Sequence, residues 1–175
     1  CWGTQQLPMF PQPRVAGVYS LWYAKNPGLD RAMDAIKHAS HAGTSPRGGV
    51  LVAAGDDHLA KSSAFGHQSE YEFVDCLMPV LVPSGIAEII DYGLAGWALS
   101  RFCGSWVGFK LAGSICEGSA TVQVAEPRAW PVPDFALPPA GLHLRWPDDA
   151  AEMEHRAKAL RLPAAQAFVR AAGLD

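Results

Sequence analysis

Between residues 15 and 112, short apolar runs alternate with helix-length amphipathic stretches, and few folds accept that order. Val15 to Tyr23 is β-branched and aromatic and reads as a strand. Pro27-Gly28 is a turn signal, and Asp30 reads as the N-cap of a helix through about Ala42. Ala32, Met33, Ile36 and Ala39 would form that helix's apolar side. Gly49 to Ala54 is uninterruptedly apolar, as expected of a parallel strand buried on both faces. Ser69 is positioned to cap a short helix, Glu70 to Cys76, with Glu72 completing a capping box. A short strand at 79–82 lies between prolines. Ser84 then caps a long helix to about Phe102, with Ile86, Ile89, Ile90, Gly93, Leu94 and Trp97 on one stripe. Trp106 to Lys110 is a further strand.

This β-α-β-α-β-α-β order predicts an α/β fold: a doubly wound, mainly parallel sheet with helices on both faces. Residues 1–125 would hold that core. Residues 126–175 read as a proline-rich extended segment plus a C-terminal helix, linking to further protein. A strand is expected at Thr121 to Val124. Asp148 is expected to cap the last helix, which Pro163 breaks or kinks before Ala172.

Bulk properties narrow the function. A net charge of −3 gives no electrostatic footprint for nucleic acid. No apolar run is long enough for a transmembrane helix, and no secretory signal pattern opens the chain. Cys1, Cys76, Cys103 and Cys116 form no CxxC pair, so reduced thiols in a cytoplasmic protein are expected, with no metal site. The chain begins with Cys1 and without a capping signal, which reads as an internal piece of a longer polypeptide.

Walker, Rossmann, GxSxG and HExxH signatures are absent. Three loops could carry chemistry. Lys25 to Arg31 follows the first strand and opens a helix, where Gly28 permits close approach and the helix start favours an anion or polar ring. The plainer reading is a capped turn. Gly55-Asp56-Asp57-His58 places two carboxylates and an imidazole at a strand end, able to bind a metal, hold a cofactor ring or orient a histidine. A capped turn is the plainer reading, and metal is the weakest for want of a second ligand pair. Ser62, Ser63, His67, Gln68, Ser69 and Glu70 could bond a substrate carboxylate or carbonyl. Ligands of open α/β sheets bind beyond the strands' carboxyl ends, so the first two loops should share one edge. His38 and His41 share a helix face that reads as solvated.

Taken together, WGTQQ at 2–6, WYAKNPGLDRAMDAIKHA at 22–39 and GTSPRGGVLVAAGDDHLAKSSAFGHQSE at 43–70 carry a resemblance. It continues through MPVLVPSGIAEIIDYGLAGWALSRF at 78–102, WVGFK at 106–110 and PPAGLHLRWPD at 138–148. The chain resembles the thiamine-diphosphate-dependent 2-oxoacid:ferredoxin oxidoreductases, in particular the long fused-chain indolepyruvate ferredoxin oxidoreductase branch.

The resemblance implies a pyrimidine-type thiamine-diphosphate-binding domain without its N-terminal part. It implies oxidative decarboxylation of a 2-oxo acid, indolepyruvate or another aryl pyruvate, to an acyl-CoA. Thiamine diphosphate with Mg2+, an iron–sulfur cluster and coenzyme A would serve the complete enzyme, with electrons passing to ferredoxin. The remaining domains of the same enzyme, as a dimer, would be the other partners, with neither nucleic acid nor membrane involved. Lys25, Gly28, Asp56 and Asp57 would then face the cofactor, His58 and His67 the chemistry, and Ser62, Ser63 and Gln68 the substrate. The glutamate that bonds the pyrimidine in that family would lie upstream of WGTQQ. The family's GKGPG is replaced by Ala24-Lys25-Asn26-Pro27-Gly28. A thiamine-dependent decarboxylase or transketolase-like enzyme without ferredoxin is the enzyme alternative. A structural or interaction domain that keeps the fold is the non-enzyme alternative.

Overall fold

Four strands, β1 (Tyr19–Lys25), β2 (Gly49–Asp56), β3 (Val80–Leu81) and β4 (Val107–Ala112), pair in the order β1-β2-β4-β3. All three pairings are parallel. These relations come from a computed structural model that describes residues 1–58, 64–124, 126 and 129–174. The parallel, helix-flanked architecture expected from the alternation is present.

Helices α1 (Trp2–Gln6), α2 (Asn26–Ala42), α3 (Glu70–Asp75), α4 (Ile86–Cys103), α5 (Gly113–Cys116), α6 (Ala150–His155) and α7 (Leu162–Ala172) complete the fold. Two cores flank the sheet, as the period-2 alternation of strand side chains requires. Val50, Val52 and Ala54 of β2 meet Leu29, Ile36 and Ala39 of α2 and Phe73 beside them. Leu51 and Ala53 face the other way, onto Leu99 and Cys103 of α4 and Ala164, Ala165 and Phe168 of α7.

Several boundaries differ from the sequence expectation, each for a local reason. The helix expected from Asp30 begins at Asn26, with Lys25 in the N-cap position and Pro27 in its first turn. Proline's fixed φ suits the first turn, where its missing N–H costs nothing. The first strand starts at Tyr19 and not Val15. Residues 121–124 form no strand. Asp149, not Asp148, makes the capping box, with Glu152. Asp148 is instead held by Arg156 and Arg145. Between α6 and α7, Arg156–Arg161 forms a π turn. The widened turn falls just before Pro163, which has no N–H to give to the carbonyl four residues back.

The stripe expected to bury α4 is only partly the buried one. Ile90 and Leu94 are exposed, whereas Ala95, Gly96, Leu99, Ser100 and Cys103 lie against the sheet. This helix is apolar almost all round, and its small residues permit the closest approach.

Arg161 ties the turn before the C-terminal helix to the end of α2. It is 1 % exposed, and its guanidinium donates to Ser40 O, His41 O, Ala42 O and Leu142 O at 2.7–3.3 Å. The first three are the carbonyls that the end of α2 leaves without an intrahelical partner. Gly43 follows at φ +92, and a Cβ there would lie 2.5 Å from Arg161 Nη2. A side chain at 43 would therefore be strained in its backbone and would displace the guanidinium. Burial first, and then the charge of Arg156, bring the Arg161 pKa down to about 10, so it stays charged at neutral pH.

Candidate functional site

The register pairs Lys25 with Gly55 and runs β4 alongside to Ala112, so the start of α2 and the loop after β2 lie at the same edge. Residues 26–31, expected as a loop, are the first turns of α2. β2 leads to α3 on one face and β3 to α4 on the other. β4 lies between them, and ligands of open α/β sheets bind beyond the carboxyl ends of the strands.

The chemistry at this edge centres on three charged groups. Asp56, the last residue of β2, is 1 % exposed. Its Oδ2 accepts from Ser69 N at 2.9 Å and Ser69 Oγ at 3.0 Å. Lys110 of β4 is 5 % exposed, with Nζ 3.4 Å from the same oxygen and also paired with Glu70 Oε1. A buried ammonium needs such partners, because stripping water from a lone charge costs several kcal/mol. Burial raises the Glu70 pKa, but the Lys110 hydrogen bond and charge outweigh it and leave it below the usual carboxylate range.

Two acceptors in this cluster are buried without a donor among the described residues: Asp56 Oδ1 and Glu70 Oε2. Each such atom costs about 1–3 kcal/mol unless a donor is supplied. Beside them, Asn26 Nδ2 donates to Glu72 Oε2 at 3.3 Å. Burial, and then the charges of Asp30 and Asp56, push the Glu72 carboxyl up to about 7 against the opposing Asn26 bond. A carboxyl poised near neutral pH in a crevice is suited to exchanging a proton.

That shift has a measurable consequence. Between an ordinary 4.5 and about 7 the folded state holds a proton that the unfolded state has released. The stabilisation from protonated Glu72 is therefore complete below the lower value and lost as pH rises through the upper one. Glu72→Gln is expected to gain stability relative to the parent as pH goes from 5 to 8, read from thermal midpoints. A stability difference independent of pH would contradict the shift.

Of the residues singled out in the sequence, the structure unites Asp56 with the cluster and sets Lys25 next to β2's end. Gly28 serves packing: a Cβ there would lie 2.7 Å from the Ala24 Cβ. Asp57 and His67 are half-buried, and His58 and Gln68 are exposed. Gly66 returns against the carbonyl of His58, where a Cβ would stand at 2.9 Å, so the two ends of this loop meet. Ser62 and Ser63 lie outside the described residues. Ser69 heads α3 but makes no side-chain cap, because its hydroxyl goes to Asp56. Glu72 likewise serves Asn26 and not a capping box.

Lys110 was missed, although a lone lysine in the strand WVGFK was a visible signal. Asn26 and Glu72 gave none, because they meet only in the fold. Cys76 and Cys103 are buried free thiols, their pKa values raised first by burial. Among the described residues no three His, Cys, Asp or Glu converge as metal ligands. No helix among them is long and apolar enough to cross a membrane. His38 and His41 each bond, through Nδ1, the carbonyl four residues earlier in α2.

No family model, curated protein or solved structure matches the chain.

Proposed function

We propose that this chain forms part of a thiamine-diphosphate-dependent 2-oxoacid:ferredoxin oxidoreductase, as the pyrimidine-type domain whose carboxyl edge receives the aminopyrimidine ring. The observation that carries this reading is the buried Asp56–Lys110–Glu70 cluster with its two acceptors lacking donors. An aminopyrimidine offers N–H donors, so these oxygens suit it. Asp56 and Glu70 would accept from it, Glu72 would exchange a proton with a ring nitrogen, and Lys110 would fix both carboxylates in place. When bound, thiamine diphosphate supplies the electron sink for loss of carbon dioxide from the 2-oxo acid. Asp57 and His67, half-buried in the same loop, would orient the acid over the cofactor.

In this reading Mg2+, the iron–sulfur cluster, coenzyme A and ferredoxin are handled by other parts of the enzyme. The aryl character of the 2-oxo acid rests on the sequence resemblance alone. In the complete enzyme, Asp57→Ala and His67→Ala are each expected to lower kcat/KM for the 2-oxo acid about tenfold, roughly 1.4 kcal/mol of transition-state stabilisation. Parental kinetics in both variants would remove that loop from the chemistry.

A further inference from the structure

The opposite edge of the sheet holds a second concavity, of about 580 Å3, within the range of small-molecule sites. It lies among the first residue of β1, the C-terminal turn of α4, the flank of α7 and the extended segment around 129–143. We propose that this cleft binds a small aromatic anion, at a site separate from the carboxyl edge.

Its walls are aromatic. Phe102 and Phe168 have ring centroids 5.7 Å apart, and Trp130 and Phe168 6.5 Å apart. Leu137 is 62 % exposed although it faces this apolar lining, so the cleft is open and its greasy surface wet. A planar ring entering it would displace that water and add to the tilted ring contacts already present.

The polar groups select the charge of the ligand. Arg101 is exposed at the rim, and its Nη1 donates to the Tyr19 hydroxyl at 3.0 Å, the one side-chain bond of Arg101 to the described residues. The rest of its planar fork can take a carboxylate by two parallel N–H bonds. No acidic residue is among the described residues that line the cleft. His143 bonds the Arg101 carbonyl through Nε2 at 2.8 Å. Burial, above all, holds its pKa below the usual imidazole value. The neutral ring must therefore carry its proton on Nε2, which leaves Arg101 as the cation that the lining presents. Among the described residues the cleft has one guanidinium at its mouth and no carboxylate, which fits an aromatic acid better than a neutral or cationic ring.

The test uses 1-naphthoate and its neutral counterpart 1-naphthamide as probes of the full chain, by calorimetry and by amide resonance shifts. Naphthoate is expected to bind at about tenfold lower Kd than naphthamide, with shifts around Arg101, Trp130 and His143. Arg101→Gln, at an exposed rim position, is expected to erase that preference while naphthamide binding is unchanged. Leu137→Trp, which fills the cleft from its open side, should abolish binding of both. Equal affinity for the two probes, no binding of naphthoate at about 1 mM, or shifts centred on Asp56 and Lys110 would overturn the proposal.

Discussion

Replacing Arg161 by methionine is expected to destabilise the protein by about 3–5 kcal/mol, because each buried carbonyl left without its donor costs about 1–3 kcal/mol and the relieved burial of the guanidinium offsets only part of that. For a chain of this size that corresponds to a fall in Tm of roughly 10 °C or more. Four carbonyls lose their donor at once: the last three of α2 and that of Leu142. Methionine fills most of the volume, so lost packing contributes little. Arg161→Lys should be nearly as damaging, because one ammonium cannot place a planar fork against four oxygens. Thermal and denaturant unfolding measure both variants. A change below about 1 kcal/mol, the range of ordinary surface substitutions, would mean that the C-terminal helix docks without this contact.

Lys110→Met is the second large effect. It leaves the Asp56 carboxylate and its neighbour Glu70 without their shared cation. A loss of about 3–5 kcal/mol is expected near neutral pH. The loss should shrink on acidification, because a protonated carboxyl no longer carries an uncompensated buried charge. Adding Asp56→Asn to Lys110→Met should recover part of the stability, and the double variant separates loss of the ion pair from loss of lysine packing. Identical stability of parent and Lys110→Met from pH 5 to 8 would show that the cluster is not formed in solution.

These two residues also show where the sequence is readable and where it is not. The alternation from Tyr19 to Ala112 sufficed for the strands and for α2 and α4, because each segment's period matches the surface it must bury. The run Gly49–Ala54 announced a strand covered on both faces, and β2 is that strand. Asp56 was read just beyond the carboxyl end of that run, and it is the last residue of β2. What failed depended on contacts between distant residues. Arg161 looks like any charge on an amphipathic helix until the fold brings it to the end of α2, more than a hundred residues earlier. The hydroxyl of Ser69 could cap a helix or bond Asp56, and the local pattern favoured the cap that the structure does not use. In α4, periodicity could not choose a face on a helix that is apolar nearly throughout. The role of Lys110 needed both its strand and α3 in place.

The most direct measurement on the proposed aminopyrimidine site is a titration of the isotopically labelled chain with thiamine, followed by amide resonances. Shifts are expected at Asn26, Asp56, Ser69 to Glu72 and Lys110. The Kd should lie between about 1 µM and a few mM, roughly 8 to 4 kcal/mol, because in the proposed reading another part of the enzyme holds the diphosphate. Thiamine that leaves those resonances unmoved at several times about 1 mM, or that moves only those around Arg101 and Trp130, would contradict a pyrimidine site at the carboxyl edge.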